Sequence, residues 1–313
     1  MNANILDLIK NKDQQYRTDL PYFDYHHEIL DVKLLTKNKK DIQLLRGPLP
    51  SKDDLESGNY FVTIGSAHTF GRFSRKTYGQ YISEEINIPC LNAGVSDASP
   101  SLFCRPEWLK YINNAKFAII QMMSGRTGDN HVFYGGGVAT RKDNGASKRI
   151  TKMLSLILQR KGEGFVKKLL KESRRDFVKK YLELKKTIKV PTIHLWHSLR
   201  SPQSIENIED MTISNEQDIN RILSSNFTNQ FPHLVNQQMI NRMIGDDIFL
   251  KYISSEGFPQ LFYDDNKNII CHKSISHTGR VLQNWPFNNY YPPQHQHQQV
   301  SQLLISLINK LTT

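Results

Sequence analysis

The stretch that decides the fold is Tyr60-Phe-Val-Thr-Ile-Gly-Ser-Ala-His-Thr-Phe-Gly-Arg72. Its first five residues form a mostly apolar run that ends in a Gly-Ser turn, a pattern typical of a buried parallel strand. We expect a helix to begin near Thr69, directly after this turn. Backbone amides at a helix start converge on one point and carry partial positive charge, so the turn is predicted to hold an anion or an oxyanion.

Alternating strands and helices extend outward from this turn. Besides residues 60–64, strands are predicted at residues 89–92, 116–122 and 187–195, and helices at residues 77–85, 106–113 and 298–311. Such alternation is typical of a parallel sheet covered by helices on both faces. The fold class is therefore predicted to be α/β, a three-layer α/β/α sandwich with a mostly parallel sheet and a helical insertion.

The insertion is predicted at about residues 130–186. It begins with the glycine run at residues 135–137 and continues through a strongly basic, helix-patterned run at residues 148–186. Residues 1–50 are predicted to be an N-terminal extension packed on the core, and residues 51–313 to be the α/β domain. The basic run is patterned as an amphipathic helix with a solvated face.

Composition narrows the partners. The chain has 313 residues, a formal net charge of +11 and a pI near 9.4, which favours an acidic partner. Its three cysteines are far apart, so neither a zinc ribbon nor a disulfide framework is expected. The first residues lack the apolar core of a signal peptide, and no apolar run approaches the ~20 residues that span a bilayer. We therefore expect a cytoplasmic protein, with peripheral membrane contact left open.

These blocks resemble those of the SGNH/GDSL hydrolases, whose first block reads Gly-Asp-Ser-x-Thr-x-Gly. In this chain Gly65 matches, Ser66 replaces the aspartate, and Ala67 replaces the attacking serine. The resemblance implies an SGNH-like, flavodoxin-like fold, but alanine cannot attack an ester. Esterase activity against short acyl esters is therefore expected to be absent or negligible.

The later blocks resemble the family in part. Asn92 and Gly94 match the second block, whose glycine amide contributes to the oxyanion hole, and the Gly65 and Gly94 turns are expected side by side at the carboxyl ends of the strands. In the third block Ser124 and Gly125 stand in place of the usual residues. In the last block Tyr291 stands where the catalytic histidine is expected. In the same block Asn288 stands where the family has its aspartate, and His297 stands where the family has a histidine in the last helix.

The combination of blocks is most similar to an uncharacterised bacterial family found among capsule and exopolysaccharide genes. That similarity rests on Gly-Ser-Ala-x-Thr-Phe-Gly-Arg, Asn-x-Gly-Val, a strand ending Gln-Met-Met-Ser, and a later Phe-Tyr with a basic segment at Arg141. It carries no established activity, and it implies that the alanine at the nucleophile position belongs to the family pattern. A glycan or polysaccharide acceptor is expected as the partner.

The remaining residues favour direct transfer of a small group. Sulfuryl or phosphoryl transfer needs a phosphate cradle, cations and a base, but no protein nucleophile. The leading hypothesis is a sulfotransferase that moves a group from a nucleotide donor, 3′-phosphoadenosine 5′-phosphosulfate, to a sugar hydroxyl. No tightly bound cofactor is expected. The proposed donor-binding positions are Gly65, Thr69, Gly71, Arg72, Asn92, Gly94, Ser124, Arg126, Arg141 and Tyr291; the proposed catalytic residues are His68, His131 and Ser66.

Other interpretations stay open. An acyltransferase or esterase could use Ser66, or another residue brought in by the insertion, as its nucleophile. A non-catalytic glycan-binding protein could retain the cleft without the triad. Gly65, Gly71 and Thr69 could simply form a tight strand-to-helix turn. No recognisable nucleic-acid-binding module is present, and the histidines His272, His277, His295 and His297 lack the partners of a metal site, so neither nucleic acid nor metal is expected.

Overall fold

The computed structural model describes residues 27–35, 40–71, 74–223, 231–254, 260–261, 272–275, 281–285, 287–288 and 291–311. Its strands are β1 (His27–Leu35), β2 (Lys40–Arg46), β3 (Phe61–Gly65), β4 (Cys90–Gly94), β5 (Ala118–Gln121), β6 (Phe133–Tyr134), β7 (Val138–Arg141), β8 (Ser147–Arg149), β9 (Thr192–Ser198), β10 (Ile248–Ile253), β11 (Gln260–Leu261), β12 (His272–Ile275), β13 (Val281–Trp285) and β14 (Phe287–Asn288). Its helices are α1 (Lys52–Ser57), α2 (Ala67–Phe70), α3 (Tyr78–Ile86), α4 (Pro100–Phe103), α5 (Pro106–Ile112), α6 (Ile150–Thr187), α7 (Glu216–Leu223), α8 (Gln237–Ile244) and α9 (Gln294–Leu311). None of these helices, as far as they are described, combines the length and apolar character needed to cross a membrane.

The central sheet has seven strands in the order β1-β2-β4-β3-β5-β9-β10. The five strands from β4 to β10 are parallel, and their spatial order is the 2-1-3-4-5 order of flavodoxin-like sheets. The β1–β2 hairpin is antiparallel and joins the sheet where Arg46 pairs with Asn92. The prediction of an α/β fold with a mostly parallel sheet is confirmed, whereas the predicted division after residue 50 stays a prediction.

The two faces of the sheet bury different helices. Phe61 and Ile119 point to the face that α3 and α9 cover, where they pack with Val300 and Leu304. The alternate residues of β3 point to the other face, where α5, α8 and the end of α6 pack. Because side chains alternate across a strand and both faces are covered, β3 reads as a continuous apolar run.

A second hydrophobic cluster lies beside the main core. It combines the first part of α6 with the small β6–β7–β8 sheet and with α7. The backbone of α6 leaves helical geometry at Gly162, where φ is 75° and ψ is 174°. Beyond this break the helix continues into the main core, where Phe177, Tyr181 and Leu184 are buried. The interval predicted as an insertion thus has two parts, and its last part is the crossover helix between β5 and β9.

Three predicted element boundaries were wrong. The strand predicted at residues 187–195 starts at Thr192, because α6 continues to Thr187 and Pro191 follows the turn. The helix expected near Thr69 is only the single turn α2, because Gly71 takes a left-handed conformation with φ of 74°. The last helix begins four residues earlier than predicted, at Gln294 directly after two prolines.

Candidate functional site

Two glycines that lie side by side shape the turn after β3. Gly65 and Gly94 are partners in the parallel register of β3 and β4. A Cβ on Gly65 would lie 2.1 Å from Thr69 Oγ1, and a Cβ on Gly94 would lie 2.2 Å from the backbone nitrogen of Phe70. Glycine at both positions therefore lets α2 sit directly on the strand ends, and the predicted juxtaposition of the two turns is confirmed.

The serine of this turn caps α2. Ser66 Oγ accepts a hydrogen bond from the backbone N–H of His68 at 3.4 Å, and the residue is only 6% exposed. Ala67, at the nucleophile position, is the first residue of α2 and carries no reactive atom. The described contact of Ser66 is that of an N-cap, which is a common structural role for serine.

The amide expected to stabilise an oxyanion has an internal acceptor. The Gly94 N–H donates to Asn92 Oδ1 at 2.9 Å, and Asn92 Nδ2 donates to the Thr69 carbonyl at 3.0 Å. Asn92 is buried, so both hydrogen bonds are shielded from water. Asn92 therefore ties β4 to α2 and occupies the donor that a substrate oxygen would need.

Thr69 anchors a buried polar chain. Its hydroxyl donates to Gln121 Oε1 at 2.7 Å and lies 3.1 Å from the Tyr78 hydroxyl. Complete burial raises the pKa of Tyr78, so its hydroxyl stays neutral. Gln121 Nε2 is buried and has no hydrogen-bond partner among the residues that the structure describes. The Thr69 hydroxyl therefore holds α2 against Gln121 of β5 and Tyr78 of α3.

Arg46, which the sequence analysis did not single out, clamps the end of the turn. Its buried guanidinium donates to four backbone carbonyls, those of Phe70, Gly71, Ser74 and Arg75, at 2.7–3.2 Å. A buried charge is stable only when such acceptors surround it. An arginine that ends a strand was the one available signal, and this type of signal is too common to identify a clamp.

The segment 231–235 covers the turn. The Phe231 ring stacks on the His68 ring at a centroid distance of 3.8 Å, and Tyr291 lies 5.4 Å from His68 on another side. The segment is fixed in place because Ser198 Oγ donates to the Phe231 carbonyl at 2.7 Å and Arg200 donates to the Pro232 carbonyl. His68, expected as a base, is therefore buried between aromatic rings.

The same segment brings a histidine to Ser124. Ser124 Oγ and His233 Nδ1 are 3.0 Å apart, and the Gly125 N–H donates to the His233 carbonyl at 2.8 Å. Ser124 is 4% exposed and His233 is 0% exposed. Ser124 follows β5 at the carboxyl edge of the sheet, where α/β folds place their sites.

His233 had not been predicted as a site residue. It lies 109 residues from Ser124 along the chain, and its neighbours, Phe231-Pro-His-Leu234, follow no histidine motif that we recognised. Only the tertiary fold brings the two residues together.

The cations predicted to clamp a donor have other partners. Arg126 forms an ion pair with Asp97 at 2.8 Å and donates to the Leu223 carbonyl at 3.1 Å. Arg141 lies on β7 and pairs with the nearby Asp143. Arg72 lies outside the described residues. No described contact therefore joins Arg126 or Arg141 to the Gly65 turn.

His131, predicted as a base, lies on the second cluster. Its Nδ1 is 2.6 Å from Glu172, and its ring contacts Phe165 edge-on. The imidazole is about half exposed. The described contacts thus place His131 at the α6 surface and not beside Ser66 or Ser124.

Other histidines form a buried group on the α9 side of the sheet. His297 Nδ1 accepts from the Tyr78 N–H at 3.3 Å, and its ring lies 5.6 Å from the His197 ring. Burial lowers the pKa of His197 to about 3 and lowers that of His297. Within the described residues, no group of three or more histidine, cysteine or acidic side chains could hold a metal ion.

Part of the chain matches a family model. Residues 27–143 match the model of a domain of unknown function, DUF6473. No curated protein matches the sequence. The matched stretch contains β1 to β7, and so includes Ser66, Asn92 and Ser124 but not His233.

The solved structures that match this chain include lipases and esterases of low identity. The lipase Lip_vut3 from a goat rumen metagenome is 11% identical, with 79% of this chain and 96% of that chain covered and a TM-score of 0.38. A possible lipase from Chitinophaga pinensis is 12% identical, with 81% and 98% covered and a TM-score of 0.38. A carbohydrate esterase with catalytic and non-catalytic binding functions is 10% identical, with 85% and 68% covered and a TM-score of 0.37. At these values the similarity carries no argument, and the assignment of the α/β fold rests on the strand order and the two glycine turns.

Proposed function

We propose that the protein is an SGNH-like esterase or acyltransferase in which Ser124 is the nucleophile and His233 is its base. The observation that carries this proposal is the 3.0 Å distance between Ser124 Oγ and His233 Nδ1. A serine hydroxyl becomes a useful nucleophile when a base lies within about 2.6–3.2 Å of it. Ala67 removes the usual nucleophile, and the pair supplies a hydroxyl and a base at the same sheet edge.

The proposed chemistry has two steps. Ser124 Oγ attacks the acyl carbonyl while His233 Nδ1 accepts the hydroxyl proton, and the protonated histidine then donates that proton to the leaving alcohol. In the second step water or an acceptor hydroxyl attacks the acyl-serine with His233 again as base. Water gives an esterase, and a sugar hydroxyl gives an acyltransferase. The tautomer that this route requires has the proton on Nε2 and leaves Nδ1 as the acceptor.

Sulfuryl transfer has less support than acyl transfer. It requires cations that converge on a donor phosphate. The described contacts of Arg126 and Arg141 go to Asp97, the Leu223 carbonyl and Asp143 instead. A nucleotide donor is therefore not part of the proposal.

A serine-directed covalent probe tests the proposal directly. We expect a fluorophosphonate to label Ser124, as located by peptide mass spectrometry, and we expect Ser124→Ala and His233→Ala to abolish the labelling. Ser66→Ala is the matched control and should label like the wild type. Labelling at Ser66, or labelling of Ser124 that persists in His233→Ala, would refute the assignment of this pair.

A second candidate function is a binding protein without turnover. The observation that favours it is burial: Ser124 and His233 are 4% and 0% exposed, and Phe231 covers the turn. Under this alternative the wild type would neither label nor turn over acyl substrates while remaining folded by circular dichroism. The labelling experiment therefore separates the two candidates.

A further inference from the structure

One face of α6 carries a row of cations that form no ion pair among the residues that the structure describes. Lys168, Arg175, Lys179 and Lys186 are exposed, and none forms an ion pair with the residues that the structure describes. Their spacing of seven, four and seven residues places all four on one side of the helix. At about 1.5 Å per residue the row is about 27 Å long. We call these four residues and Arg242 of α8 the basic stripe.

Neighbouring cations on the same helix behave differently. Lys167 pairs with Glu163, Lys180 with Asp129 and Asp176, and Lys185 with Asp247. Ion pairs inside the fold thus use the lysines that flank the stripe. Within the described residues the stripe forms none of these ion pairs, so most of its positive charge can act on a partner outside the chain, and the net charge of +11 has the same sign.

A shallow groove between α6 and α8 contains part of the basic stripe. Arg175, Lys179 and Arg242 line it together with the exposed Leu182. The groove also contains Asp176, whose carboxylate is engaged by Lys180 and by the Asp129 N–H. Its other carboxylate, Glu172, is engaged by His131 and also interacts electrostatically with Lys168 of the stripe. Glu183 lies on α6 one turn from Lys179 and Lys186. The cations therefore set the sign of the groove.

We infer that the basic stripe binds a linear acidic polysaccharide. A straight row of cations about 27 Å long matches a polymer that repeats negative charge along its length. A lipid surface would need an apolar face for insertion, yet Leu182, at 37% exposure, is the one large apolar side chain exposed in the groove. Single-stranded nucleic acid would need aromatic side chains for base stacking, and the described groove lining contains none.

Binding of polygalacturonate tests the inference. We expect the variant Arg175→Gln/Lys179→Gln/Arg242→Gln to bind labelled polygalacturonate about 10- to 100-fold more weakly than the wild type at fixed ionic strength, as three lost exposed charge contacts imply. Added salt should weaken wild-type binding more steeply than binding by the variant. Fluorescence anisotropy gives both quantities.

A matched variant controls for total charge. Lys148→Gln/Arg160→Gln/Lys161→Gln removes three exposed cations elsewhere and should change the affinity by less than about threefold if the stripe is the site. Equal weakening in both variants would show that binding depends only on the net charge of the chain, and it would overturn the inference. Tighter stripe-dependent binding of oligodeoxythymidylate, or of vesicles containing phosphatidylserine, would also overturn it. Neither variant touches Ser124 or His233, so the result does not depend on the proposed function.

Discussion

The Gly65 turn and the Ser124–His233 pair occupy the same edge of the sheet but are built differently. At the turn, two neighbouring segments satisfy each other's polar groups: Asn92 accepts from the Gly94 amide and donates to the Thr69 carbonyl, and Ser66 caps α2. The pair joins residues from distant segments through one side-chain hydrogen bond. A motif can therefore preserve the architecture of a site while the groups capable of chemistry lie elsewhere.

The largest effect that separates the two regions concerns turnover. If Ser124 attacks the substrate, Ser124→Ala should lower kcat/KM for an acyl ester by about 10³-fold or more, as for loss of a catalytic serine. Ser66→Ala should stay within about twofold, because its described role is a helix cap and stability rather than chemistry depends on it. Steady-state kinetics with an activated acyl ester measure both. The reverse ranking would return the chemistry to the Gly65 turn.

Backbone packing gives the next largest difference. Gly94→Ala places a Cβ 2.2 Å from the Phe70 nitrogen, so we expect a loss of about 3 kcal/mol or more in the free energy of unfolding. Gly125→Ala meets the His233 carbonyl at 2.9 Å and should cost about 1–2 kcal/mol. Denaturant titration measures both changes.

Gly164→Ala is the control for these substitutions. Nothing lies within 4 Å of its added Cβ, and the position is inside α6. Alanine should therefore leave stability unchanged or raise it by up to about 1 kcal/mol. A tolerated Gly94→Ala would mean that α2 does not sit as tightly on the strand ends as the geometry requires.

The pH dependence of stability tests the buried histidines on the α9 side of the sheet. Burial lowers the pKa of His197 to about 3, below the value of about 6.5 for an unfolded histidine. The stability that neutral His197 contributes to the fold is complete above about pH 6.5 and is lost progressively toward pH 3. In this range His197 gains a proton in the unfolded chain but not in the folded one. At pH 5 the loss should be about 2 kcal/mol.

The comparison with His197→Gln isolates this contribution. The difference in unfolding free energy between wild type and variant should be constant from about pH 7 to 8 and should fall in favour of the variant as the pH decreases. Denaturant titrations at a series of pH values measure it. Parallel curves across the acid range would show that His197 is protonated as readily in the folded chain as in the unfolded one.

Much of the fold could be predicted because its signals are local. The mostly apolar run of β3 and its Gly-Ser turn lie within a few residues of each other, and a strand covered on both faces carries few polar side chains. The end of α6 could not be predicted in this way. Its last turns pack through Tyr181 and Leu184 into the core, so tertiary contacts extended the helix into residues that resemble a strand.

The candidate site was less predictable than the fold. Gly65 and Gly94 were identified as neighbours because consecutive strand ends meet at one sheet edge. Arg126 was expected to face the turn, but the carboxylate of Asp97 was not considered as its partner. His233 was missed because the path of the chain after β9 decides which histidine reaches Ser124, and no local pattern encodes that path.

The Arg46 clamp connects the N-terminal hairpin to the turn after β3. Arg46 belongs to β2, in the N-terminal hairpin, yet its guanidinium supplies the donors for four carbonyls of residues 70–75. A fragment starting at residue 51 would contain every block that resembles the SGNH hydrolases and would still lack these guanidinium donors, at a cost of about 1–3 kcal/mol for each buried carbonyl left unsatisfied. We therefore expect a chain that lacks residues 1–50 to be less stable than the whole chain, although those residues lie outside every block that resembles the SGNH hydrolases.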